Sequence, residues 1–91
     1  MIDIFATLGI ERSGLIMLDA QNALIIIDKL EETGIDILGI DAFKITPEST
    51  QPIMEQDFNL ISQHGSSWGA TRRHIIDRRS LGLHFEFVLS D

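Results

Sequence analysis

Cysteine is missing from the 91 residues. Its absence excludes a disulfide scaffold, a thiolate zinc site and a cysteine nucleophile, and it permits a reducing compartment. Basic residues are scarce, with seven Lys and Arg against fourteen Asp and Glu for a net charge of −7. Long apolar runs are also lacking. The longest, residues 14–18 and 23–27, fall far short of the ~20 residues that span a bilayer. The opening Met1-Ile2-Asp3-Ile4-Phe5 puts an acid where a secretory signal carries basic residues, and no small-residue cleavage site follows. A cytoplasmic protein with no membrane partner is the expectation.

What is present suits one folded domain over residues 1–91. At this length a chain buries roughly 60–70% of its unfolded surface, enough for one core. A hydrophobic content of 44% and a charged content of 23% lie near globular averages, which argues against disorder. The charge is uneven. Residues 1–60 hold eleven acids against three bases, −8 in all, whereas residues 61–91 hold three acids against four arginines, +1. Such a field repels nucleic acid and attracts basic partners, or it simply serves solubility.

The two prolines, Pro47 and Pro52, mark a single turn region, and no repeat interrupts the chain. Residues 2–8 read as a short helix stopped by Gly9, and residues 15–18 as a brief apolar run. Asp19 is a good N-cap for a helix in which Ala20, Ala23, Leu24, Ile27 and Leu30 recur at helical spacing. Ile25 and Ile26 widen that stripe, which predicts burial on more than one side. Glu31 and Glu32 oppose the helix dipole at its end, and Gly34 sits where a left-handed residue belongs.

Residues 35–45 read as an internal strand. Alternation puts Ile37, Asp41, Phe43 and Ile45 on one face and Leu38, Ile40 and Ala42 on the other, with Gly39 a candidate bulge. Residues 53–60 suggest a strand returning alongside it. Ser66 or Ser67 caps a helix to about Arg79, on which Trp68, Arg72, Ile75, Ile76 and Arg79 share a face. Leu83, Phe85, Phe87 and Leu89 alternate with His84, Glu86 and Val88 in a half-buried strand. The expected fold is α+β: a small antiparallel sheet of about three strands with two to three helices packed on it.

Catalytic signatures are absent, with no GxxxxGK[ST], GxGxxG, GxSxG or HExxH. His64, His74 and His84 stand ten apart, a spacing that fits neither a helix face nor a strand pair, so surface histidines are expected and no metal or cofactor. Asp41 stands out as an acid within an apolar strand, either paired with Lys44 or an arginine or exposed for a partner's cation. Glu55 and Asp57 join its surface if residues 53–60 pair with that strand. Arg72, Arg73, Arg78 and Arg79 form the one basic cluster. They can meet phosphates, as a small nucleic-acid-binding regulatory module would, or pair with the domain's own acids and stack on Trp68.

The segment Ala23–Lys44, ALIIIDKLEETGIDILGIDAFK, together with Leu8-Gly9-Ile10, Asp57-Phe58 and Ser67-Trp68, resembles Immunity protein 40, a family of immunity proteins from bacterial polymorphic-toxin and contact-dependent-inhibition systems. Ile40 departs from the family's glycine, and the C-terminus reads as strand where the family continues as helix. The resemblance implies a non-enzymatic inhibitor that neutralises a cognate toxin domain. An acidic surface suits a basic toxin such as a nuclease, and the residues expected to meet it are Asp36, Asp41, Glu48, Glu55 and Asp57, with Glu31 and Glu32 as a second group.

Overall fold

A computed structural model describes residues 5, 7–12, 14–60 and 67–90, with Arg12 described by its backbone. Phe5, Thr7 and Leu8 are helical, and the Gly9 amide donates to the Phe5 carbonyl at 2.8 Å. The rest of the expected opening helix lies outside the described residues. Strand β1 (Ile10–Arg12) then turns back into β2 (Leu15–Asp19). Gly14, at φ 81°, makes that reversal, in a region of backbone space that a Cβ disfavours.

Helix α1 (Ala20–Thr33) follows directly. Its cap is the expected one, with Asp19 Oδ1 accepting from the Asn22 amide at 2.8 Å. It ends on Gly34 at φ 76°, where the Gly34 and Ile35 amides donate back to Glu31 and Leu30. Ala23, Ile26, Ile27 and Leu30 are buried, but Ile25 is 42% exposed. The apolar stripe is therefore one face, not the wider surface the sequence suggested. The 100° step that carries Ile26 and Ile27 inward carries Ile25 past the edge.

Strand β3 (Ile37–Ile45) is the centre of the sheet. One edge pairs with β6 (His84–Leu89) and the other with β4 (Thr50–Pro52) and then β5 (Phe58–Asn59). The returning chain is thus two short strands, not the single one expected over residues 53–60. Met54–Gln56 form a 3-10 turn between them, taking up the residues by which the two registers differ. Among the described residues the sheet has six strands, all antiparallel, in the order β1-β2-β6-β3-β4 with β5 beside β3. The expected count of about three is too low because β1, β2 and the two-part return were not read as strands.

Helix α2 (Ser67–Arg78) runs on into a 3-10 turn at Arg79–Leu81. Its start is tied to the start of β3: the Trp68 indole donates to the Ile35 carbonyl at 2.9 Å, and the Ile37 amide donates to Ser67 Oγ at 3.2 Å. Both helices lie on one side of the sheet. Leu18, Ile40, Ala42 and Phe85 from the strands meet Ile26, Ile27 and Leu30 of α1 and Ile75 of α2 in one cluster. The buried positions of α2 are Thr71, His74 and Ile75. Ile76, expected on that face, is 38% exposed, and Arg79 is exposed too.

A bulge between Ile37 and Gly39 corrects the sequence alternation. It turns Ile37 onto the helix side with Ile40 and Ala42, leaving Gly39, Asp41 and Phe43 on the other face. Gly39 is required there, because a Cβ would meet the Phe58 carbonyl oxygen of β5 at 2.9 Å.

Candidate functional site

The face of the sheet turned away from the helices is the one that carries charge. Asp41 of β3 lies directly across from Glu86 of β6. Continuing the β5 register by one residue sets Asp57 on the opposite flank, so Asp41 stands between two carboxylates. All three are half-buried. Burial, and then the Asp57 charge, pushes the Asp41 carboxyl above its ordinary value. Burial, and then the Asp41 charge, does the same to Glu86. Among the described residues no lysine or arginine comes within ion-pair distance of any of the three. Like charges facing one another across a strand pair oppose folding. The arrangement is a standing cost that a cation from outside would relieve.

Asp57 has a structural task as well. Its Oδ1 accepts from the Ala42 amide at 2.7 Å, while the Ala42 carbonyl accepts from the Ile53 amide at 2.8 Å. The carboxylate fills the gap in the β3 edge between β4 and β5, where a backbone donor would otherwise be unpaired. Leu38, 37% exposed, and Val88, 43% exposed, flank the acids. Together with Gly39, Asp41, Asp57, Phe58 and Asn59 they line a shallow depression of about 350 Å³. Its chemistry fits the aliphatic stem and charged head of a basic side chain.

The remaining expected residues do not join this group. Asp36 is exposed at the start of β3 and accepts from Ser67 Oγ at 3.4 Å. Glu48 is exposed in the turn between β3 and β4, and Glu55 in the 3-10 turn. Glu31 and Glu32 lie on α1, on the helix side, where Glu31 holds Arg72 at 2.8 Å and Glu32 stands 3.9 Å from Lys29. Glu86 was missed. The alternation of residues 83–89 places it beside His84 and Val88 on one face, but the register that brings it to Asp41 is set by the packed sheet.

The arginine cluster is divided. Arg72 donates to Glu31 and to Asp28 at 2.9 Å, and the bond to Glu31 chiefly holds its guanidinium above the usual value. Arg78 donates through Nε to Gln56 Oε1 at 2.6 Å and through Nη1 to the His74 carbonyl at 3.1 Å. Arg73 and Arg79 are exposed. A groove of about 570 Å³ runs between Arg79, His84, Leu83 and the start of α1.

The histidines correct another expectation. His74 is 7% exposed and is no surface residue. His84 is half-buried with Nδ1 unpartnered, and His64 lies outside the described residues. Among the described residues no three His, Asp or Glu side chains are arranged to hold a metal ion, and no helix is long and apolar enough to cross a membrane. No protein-family model, curated protein or solved structure matches the chain.

Proposed function

We propose that this chain is an immunity protein: a non-catalytic domain that binds a basic toxin domain, a nuclease in the first instance, in the cytoplasm and neutralises it. The observation that carries the reading is the row Glu86–Asp41–Asp57 on the sheet face away from the helices, where three carboxylates crowd together without a described cation. Nucleases hold phosphates with positive surfaces, and an acidic inhibitor of opposite potential is drawn to them and covers them. The Immunity protein 40 resemblance supports the same class of partner. Asp41 and Glu86 are the central residues of this surface, with Glu48 and Glu55 exposed nearer its rim and Asp36 at the far end of β3. Glu31 and Glu32, on the helix side, belong to a separate surface. The alternative, a nucleic-acid-binding module built on residues 72–79, has less to draw on, since the Arg72 and Arg78 guanidiniums are engaged within the domain.

The test is co-expression with the protein encoded immediately upstream, followed by affinity measurement at two salt concentrations. Asp41→Lys and Glu86→Lys should each weaken the complex and flatten its salt dependence. Asp57→Lys is a poor probe, because it also removes the acceptor for the Ala42 amide. An affinity that ignores both reversals and both salt concentrations sinks the proposal, and a gel shift with generic RNA at low salt would favour the arginine helix instead.

A further inference from the structure

The segment from Ile53 to Leu60 is held on two sides. Toward the sheet it closes the β3 edge: the Ile53 amide donates to the Ala42 carbonyl, Asp57 accepts from the Ala42 amide, Phe58 and Asn59 pair with Ile40 and Gly39, and the Leu60 amide donates to the Leu38 carbonyl at 2.9 Å. Toward α2 it meets His74. The imidazole lies flat on the Phe58 ring, with centroids 4.6 Å apart and planes inclined by 7°. Its Nε2 stands 2.8 Å from the Gln56 carbonyl oxygen. A carbonyl only accepts, so Nε2 carries the proton in the neutral ring and Nδ1 is the nitrogen left to titrate. One turn along the helix, Arg78 takes the Gln56 side chain.

We propose that His74 is an acid-operated latch: neutral, it clamps residues 53–60 over the edge of β3, and its protonation lets that segment go. The charged groups around it set the direction. Arg78 on its own helix opposes a second cation, while Asp77 on α2 and Asp57 on the facing segment favour one. Arg73 lines the same hollow, and Glu55 is exposed on the segment's 3-10 turn. Asp41 and Glu86 stand on the far face of the sheet. Burial outweighs the attractive groups and holds the His74 imidazole below the usual histidine value of 6.5, with the Gln56 carbonyl acting against that fall. A group whose pKa is depressed in the folded state contributes stability that is fully present above the unfolded value and fades as pH falls through the folded one. Release would free Asp57 from Ala42 and bare the backbone of β3, a long central strand with an edge open to another chain.

Total stability is the wrong readout, because Asp41 and Glu86 respond to acid with the opposite sign. Site-resolved amide exchange of the whole chain, corrected for intrinsic rates, separates the two. Between pH 7 and pH 5 the amides of Ala42, Ile53, Gln56, Asp57 and Leu60 should lose protection selectively, in step with the ring titration of His74 followed by NMR. Amides of the β3–β6 ladder should hold theirs. His74→Gln keeps a donor for the Gln56 carbonyl and cannot titrate, and His74→Phe keeps the ring stack alone. Whichever of the two folds should lose the selective pH response. If the response survives either substitution, or if segment and ladder open together, the latch is refuted. This outcome is separate from toxin binding, which the inference does not require.

Discussion

The two faces of the sheet are made by alternate residues of the same strands, yet they are stabilised by opposite means. Toward the helices, Leu18, Ile40, Ala42 and Phe85 are 0–1% exposed and close on the apolar stripes of α1 and α2. On the other side, Met17 and Phe43 are buried outside that cluster, and beside them Asp41, Glu86 and Asp57 crowd together at an electrostatic cost. The comparison teaches that the charged face is carried by the apolar one. Burial on the helix side is strong enough to tolerate unrelieved carboxylates in the middle of the sheet, and that tolerance leaves the second face free to present them.

Breaking the apolar side should therefore cost most. Phe85 is fully buried at the crossing of β2, β6 and β3. Phe85→Ala should remove about 3–5 kcal/mol of unfolding free energy, measured by urea denaturation, much of what a domain this small possesses. A loss under about 1 kcal/mol would mean that the cluster is not the main source of stability. Next is the seam between the faces. Asp57→Ala leaves the Ala42 amide without its acceptor and should cost about 1–3 kcal/mol, while Asp57→Asn, which retains an oxygen, should cost less. Equal costs would show that the carboxylate's position in the β3 edge does not matter.

Much of this contrast could be read from the chain, and the failures have physical causes. Asp19, Gly34 and the stripe from Ala23 to Leu30 are local signals, set within a few residues of one another, and the structure carries them unchanged. The hairpin β1–β2 also had a local signal, the Ser13-Gly14 pair, but its flanking strands are too short to show alternation. Ile37 was placed on the wrong face because a single bulge reverses parity for everything before it. His74 defeated the spacing argument for a different reason. Its burial depends on Phe58 and Gln56, which meet it only through packing of a distant segment. For the acidic site, Asp41 and Asp57 were legible as acids near an apolar strand. Glu86 was not, since cross-strand register is a property of the assembled sheet.

The smallest expected effect tests the charged face alone. In Glu86→Gln the residue across from Asp41 keeps its size and loses its charge, so the parent's like-charge opposition is removed without touching the core. At neutral pH the variant should be more stable than the parent by roughly 0.2–1 kcal/mol, the range of a cross-strand pair. The sign with pH follows from both carboxyls being raised in the folded state. Below their ordinary values of 3.8 and 4.5 both carboxyls are protonated in folded and unfolded chains alike, and the opposition vanishes. As pH rises through the higher folded values, the charges appear and the parent loses ground. The advantage of Glu86→Gln in urea midpoint should thus be present at pH 7, shrink toward pH 4, and weaken with added salt. A variant less stable than the parent at pH 7 would mean that Glu86 already has a favourable partner, and the carboxylate row would no longer be a cost awaiting a cation.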